Sequence, residues 1–175
     1  SKAKTIKGVV DVVQIQTGVA VLANGFWPAK LGRDALKVEW DTSAANTLGS
    51  DQILQQYKAL AKTPGAIVRS EGDADKAMAG ASKRLFAAFE FPYLAHAAME
   101  PMDCAMALTG EGCEMWHGEQ MQTLAQLNVS KLLGLKLDQV KINTLYAGGS
   151  FGRRGNPRSD YQSEAAHIVK TIAGR

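Results

Sequence analysis

Cysteine and histidine are scarce in this sequence, at two and three residues. The two cysteines, Cys104 and Cys113, flank the turn-like run "TGEG". If those four residues close a hairpin, Leu108 faces Cys113 and Cys104 faces His117. The sulfurs then lie about four residues apart along the strands, roughly 13 Å at ~3.3 Å per residue. A disulfide needs Cα atoms within about 7 Å. Two free thiols are expected, which excludes a disulfide scaffold and leaves the compartment open, cytoplasmic or periplasmic. His96, His117 and His167 show no ligand spacing, so no metal site built on histidine is expected. No apolar run approaches the ~18 residues of a membrane span, and no signal-peptide pattern precedes the first strand-like run. A net charge of +3 is too small to demand a polyanionic partner. Arg153, Arg154 and Arg158 cluster, but no series of aromatic residues accompanies them for base stacking, so nucleic acid is not expected.

What is present is the balance of a globular chain: 46% hydrophobic and 21% charged residues. "GVVDVVQI" and "GVAVLA", residues 8–15 and 18–23, are β-branched runs joined by a short polar turn and read as a hairpin. Residues 27–36 read as a helix with Pro28 near its start, where a missing N–H costs little. "KVEWD" reads as a short strand, and Trp27 and Trp40 as anchors of this first unit. From Thr42 to Ser50 the composition shifts to Thr, Ser, Ala, Asn and Gly, a linker. Ser50 can cap a helix with Ile53, Leu54, Tyr57 and Leu60 on one stripe, ended by Pro64-Gly65. "AIVRS" reads as a strand, 73–80 as a short helix, and "LFAAFEF" as a strand.

The second half is more regular. "CAMAL" and "CEMWHG" form the proposed hairpin. Residues 119–133 read as a helix stopped by Gly134, and 140–146 as an alternating strand. A last helix runs from about Asp160 towards Arg175. Because the sequence ends inside that helix, a piece of a longer protein is expected. The clustered methionines read as adaptable core filling.

Between that strand and that helix lies "AGGSFGRR", residues 147–154. Glycines permit positive φ and close approach of another molecule, so a strand, a glycine loop and a helix can present backbone N–H groups to an anion. Two readings stand on the residues alone: a simple turn, or an anion cradle. Gly149, Gly152 and Gly155 do not give G-x-G-x-x-G, and no Gly-Lys-Ser/Thr follows. If the loop awaits a ligand, it should have few packing partners of its own.

Taken in order, "YLAHAAMEPMDCAMAL", "MWHGEQMQ", "YAGGSFGRR" and "DYQSEAAHIV" resemble the molybdenum hydroxylases, the xanthine dehydrogenase and aldehyde oxidase superfamily. "HAAMEP" and "GGSFGRR" are most similar to the beta subunit of isoquinoline 1-oxidoreductase-type enzymes. "GVAVLANGFWPAKLGRDALKVEWD" resembles the end of the family's hammerhead domain. The resemblance implies an α+β fold: residues 1–42 as the tail of a hammerhead-like unit, and 43–175 as the N-terminal part of a molybdopterin-binding domain. It implies a bacterial oxidoreductase that hydroxylates an N-heteroaromatic or aldehyde carbon with oxygen from water. The implied cofactor is molybdenum on molybdopterin cytosine dinucleotide, and the implied partner an iron–sulfur subunit with two [2Fe-2S] clusters. Gln120 resembles the glutamine that hydrogen-bonds near an oxygen ligand of the metal. Gly148, Gly149, Ser150, Phe151 and Gly152 resemble the loop beside metal and pterin, and Arg153 a pterin- or phosphate-facing group. No side chain here is implied as a metal ligand. The family's general-base glutamate belongs further towards the C-terminus than this chain reaches, so the chain alone is expected to be inert and to hold no cofactor. The reading that stands against this one is a noncatalytic anion- or nucleotide-binding module using the same loop.

Overall fold

The structure is a computed structural model that describes residues 2–173. The chain divides into two units, one made of residues 1–39 with 95–175 and the other of 40–94.

In the first unit, β1 (Val9–Ile15) and β2 (Gly18–Ala23) form an antiparallel hairpin. The β-branched runs and the two-residue polar turn between them dictate this. α1 (Phe26–Asp34) follows and packs on β2. β3 (Ala105–Leu108) and β4 (Cys113–His117) are antiparallel, with Leu108 opposite Cys113 as the turn spacing predicts. Both cysteines are free thiols. α4 (Gln122–Leu133) then carries the chain back so that β5 (Val140–Thr144) runs parallel to β4. A parallel neighbour requires such a crossover. Gly134 ends α4 in the left-handed conformation, φ 74°, where a Cβ is penalised. α5 (Asp160–Ile172) packs against α4, β3 and β1. The continuation of the expected last helix to Gly174 and Arg175 lies outside the described residues.

The strands of the β3-β4-β5 sheet alternate. Cys113, Met115 and His117 of β4 are buried, while Glu114 and Trp116 between them are only half-buried. Met115 and Cys113 join Val129, Val140 and Ala166 in the core, with Leu132, Leu133, Leu135 and Ile142 packed around them. Met115 bears out core filling by methionine; Met99, at 91% exposure, does not.

The second unit contains α2 (Ser50–Leu60) and α3 (Ala74–Gly80), the latter capped by the Asp73 carboxylate on the Lys76 N–H at 2.9 Å. Gly49, not Ser50, is the N-cap of α2, and the Gln52 side chain accepts its N–H at 2.9 Å. The strands expected at 37–41, 66–70 and 85–91 do not form. Strand composition describes a fit to a pleated, half-buried surface, and these runs have no ladder neighbour among the described residues. Their apolar side chains stay exposed, Val68, Leu85, Phe89 and Phe91 among them. Trp27 and Trp40 are also exposed, at 62% and 65%, so neither anchors a core; the Trp27 ring instead carries the Lys30 ammonium 5.6 Å from its centre.

Candidate functional site

Both segments singled out by the sequence leave the sheet at the same end. Gly118–Gln120 follows the C-terminus of β4, and the glycine loop follows that of β5. Because these strands are parallel, the crossover α4 brings the two exits side by side, the usual place for a ligand in parallel sheets. Gln120 adjoins the far end of the loop: a Cβ built on Gly155 would lie 3.7 Å from the Gln120 Cβ.

The loop is pegged from below. Glu100, from the Met-Glu-Pro segment, accepts the Gly148 N–H on Oε2 at 2.8 Å, and its own N–H meets the Gly148 carbonyl at 3.2 Å. Its other oxygen accepts Arg154 Nη2 at 2.7 Å. Arg154 is fully buried; its Nε donates to the Gly149 carbonyl at 3.3 Å, and Nη1 lies 3.6 Å from Asp103. A Cβ on Gly118 would come within 2.7 Å of the Ala147 Cβ and 3.3 Å of the Arg154 guanidinium, so only glycine lets that side chain pass. Arg154 therefore ties the glycine loop to residues 100–103 and packs against Gly118. The expectation of a loop with few packing partners is corrected: its base is held, and only its crest is open.

The crest has an unusual backbone. Gly149 and Gly152 have φ of 100° and 96°, and Phe151, with a Cβ to accommodate, has φ 55°. A non-glycine residue there costs roughly 1–3 kcal/mol and persists only where surroundings or function require it. Among the described residues nothing accepts a hydrogen bond from the N–H groups of Gly149, Ser150, Phe151 and Gly152. Phe151 and Gly152 are the central residues of a turn closed by the Arg153 N–H on the Ser150 carbonyl at 2.9 Å, and the free backbone donors of this loop are open to an anion. Phe151 is 75% exposed, and a Cβ on Gly152 would lie 3.9 Å from His96 Nε2. Arg153 is turned aside: both Nη atoms bond Asp160, at 3.0 and 2.7 Å, and that carboxylate raises the already high Arg153 pKa.

Gln120 is exposed. The helix expected from Glu119 begins later, at Gln122, with Met121 as N-cap. Glu119 instead turns inward, its side chain 1% exposed. His117 bonds the backbone through Nδ1 and the Gly118 carbonyl at 3.1 Å, as expected of a histidine at a hairpin end. No group of three or more His, Cys, Asp or Glu among the described residues is arranged to hold a metal. Beside this cluster, Glu100, Asp103, Cys104, Trp116, His117 and Tyr146 help line an open cavity of about 400 Å³. Burial pushes the Cys104 thiol up to about 12, aided by the charge of Asp103 and Glu119, so it is no nucleophile near neutrality.

Sequence reasoning missed Glu100, Glu119, Asp160 and Gln162. An arginine in a glycine loop needs a carboxylate if the loop is buried, and the one in "MEP" was the available signal. Glu119 had another, a carboxylate at a helix start.

The molybdopterin cofactor-binding domain family matches residues 60–172. The chain belongs to this family, that of the molybdopterin-binding subunits of molybdenum hydroxylases. It is 30% identical to the membrane-bound aldehyde dehydrogenase (pyrroloquinoline-quinone) of Gluconacetobacter polyoxogenes over all of the chain and 24% of that protein. With a nicotinate dehydrogenase subunit of Pseudomonas putida it shares 29% identity over 95% of the chain and 14% of the relative. With the aldehyde oxidoreductase molybdenum-binding subunit PaoC of Escherichia coli O157:H7 it shares 30% over 70% of the chain and 17% of the relative. The chain thus spans a quarter or less of the length of these relatives.

Proposed function

We propose that this chain forms the first part of the cofactor cradle of a molybdenum hydroxylase subunit, acting on an aldehyde or N-heteroaromatic carbon. The four unpartnered N–H groups of residues 149–152, with the exposed Gln120 at the far end of the same loop, lie inside the matched stretch and carry this reading. The residues suit the cofactor: a large anionic group without protein ligands on its metal must be gripped by backbone and side-chain amides. Residues 149–152 would hold it through N–H groups, the Gly148 N–H being taken by Glu100; Gln120 would hold it through its amide, and Arg153 would flank it from its Asp160 pair. When bound, that cofactor supplies two-electron oxidation of the substrate carbon, with oxygen from water.

The protein's own share here is binding and orientation. Arg154 and Glu100 hold the loop base, so that the donors beyond it keep their places. We propose the cytosine dinucleotide form of the cofactor, a partner carrying two [2Fe-2S] clusters, and kinship with the isoquinoline 1-oxidoreductase beta subunit. Residues 1–42 then belong to a hammerhead-like unit and 43–175 to the cofactor domain. The general base comes from further along the parent. One relative's name carries pyrroloquinoline quinone; the family match to 60–172 favours molybdopterin for this stretch.

The test is cofactor content. In the enzyme containing this chain, Gly149→Val and Gly152→Val should lower molybdenum and pterin per protein at least about tenfold, the weight of one or two lost charge-assisted bonds, with far-UV circular dichroism unchanged. Full molybdenum in both variants would refute the reading. Phosphate or nucleotide bound without molybdenum in the parent would favour the anion-binding module.

A further inference from the structure

The residue next to Gln120 is a buried carboxylate, bonded through both of its oxygens. Glu119 Oε1 accepts the N–H groups of Gln120 and Met121, each at 2.8 Å. Its Oε2 accepts Gln162 Nε2 in a short bond and lies 3.7 Å from His117 Nδ1. Gln162 and His117 are themselves buried, at 1% and 2% exposure. From the other side, Tyr161 donates its hydroxyl to the Gly118 carbonyl at 2.6 Å and meets the His117 ring edge-on. The backbone of 118–121 is thereby fixed by two successive side chains of α5, the helix that the glycine loop feeds.

We propose that Glu119 is a positioning residue that aims the Gln120 amide, and that Tyr161 and Gln162 couple that aim to the glycine loop. Its physical basis is the cost of burial. A carboxylate removed from water must be fully bonded, and this one meets that need by fixing the two peptide N–H groups on either side of the Gln120 Cα. Gln120 itself projects outward with no side-chain partner, so its direction is set only by its backbone. Misplacing a donor by about 1 Å at a reacting centre commonly costs on the order of 10²-fold in rate.

Among the described residues Gln162 Oε1 has no hydrogen-bond partner, and this allows a sharp variant. Glu119→Gln keeps an oxygen for the two N–H groups; its new NH₂ can then donate to Gln162 once that amide turns its free oxygen inward. Glu119→Ala removes both functions.

The inference rests on Gln120 reaching the cofactor, and two readouts separate its failure from that of the parent reading. On the 175-residue chain, hydrogen exchange should quicken at Gln120 and Met121 by about tenfold in Glu119→Ala, the worth of one such bond, with Val129 and Ile142 unchanged. Glu119→Gln should stay near the parental rates. In the cofactor-loaded enzyme, Glu119→Ala should lower kcat about as far as Gln120→Ala does, with molybdenum content kept. The double variant should be no worse than either single one, a coupling that general loss of stability does not produce. Unchanged exchange at Gln120 and Met121, or fully additive losses in kcat, would overturn the positioning role. Quickened exchange together with a silent Gln120→Ala would overturn the assignment of Gln120 to the cofactor, and with it the catalytic consequence claimed for Glu119.

Discussion

Arg154 and Glu100 stand in unequal surroundings, and the pair should respond unequally to mutation. The Arg154 side chain is wholly buried, whereas that of Glu100 keeps 34% of its surface in solvent. Glu100→Ala leaves a buried guanidinium with two backbone carbonyls but no carboxylate nearer than Asp103, 3.6 Å away, and is expected to cost about 3 kcal/mol. Arg154→Met removes the buried charge and fills much of its volume, while Glu100 can turn to water. Its cost should be nearer about 1 kcal/mol, that of lost hydrogen bonds. Urea midpoints of the two variants test the order. A second residue-scale prediction concerns alkaline pH. Burial pushes Cys104 from 9.0 up to about 12, and burial then the Glu119 charge push Tyr161 from 10.0 up to about 12. Both groups stay protonated in the fold at pH values where the unfolded chain loses its protons. Their stabilising contribution is therefore complete below pH 9 and falls away from there towards pH 12. Denaturation midpoints should hold steady from pH 7 to 8.5 and decline above, and Cys104 should resist alkylation at pH 8 until the chain unfolds.

Among elements, legibility followed the range of the forces involved. The hairpin of β1 and β2, the register of β3 against β4 and the stop of α4 at Gly134 rest on neighbours within a few residues, and all could be read from spacing and turn chemistry. Runs 66–70 and 85–91 look the same in composition, but a strand exists only when another backbone answers it, and no short-range pattern tells whether one will. The site divides along the same line. The place of the loop between β5 and α5 was legible because its glycines mark it locally, and a motif order singled out Gln120. The clamp of Glu100 on Arg154, 54 positions apart, and the turn of Glu119 towards Gln162 were not, since each depends on which segments the crossover brings together. The start of α4 at Gln122 instead of Glu119 has the same origin: a carboxylate that caps two N–H groups ahead of a helix cannot also sit within its first turn.

At the level of the whole molecule the two units differ in how firmly they are held. No residue between 40 and 94 is buried, whereas the first unit contains the core around Met115 and Val129. Exposed backbone with few buried contacts opens most readily, so brief trypsin treatment should cut first at Lys62, Arg69, Lys83 or Arg84. Mass spectrometry of the early fragments checks this; first cuts at Lys131 or Lys170, within α4 or α5, would contradict it. The contact of α5 with β1 bears on how the chain is made. The strand, Val9–Ile15, leaves the ribosome well ahead of the helix that covers it, Asp160–Ile172, with synthesis at about 5–20 residues per second. For something like ten seconds or more the hairpin waits without its cover, and the crossover of β4, α4 and β5, which needs only its own stretch, can assemble before it. A nascent chain of this kind should depend on a holding chaperone at the hairpin of β1 and β2 and not at its β3-β4-β5 sheet.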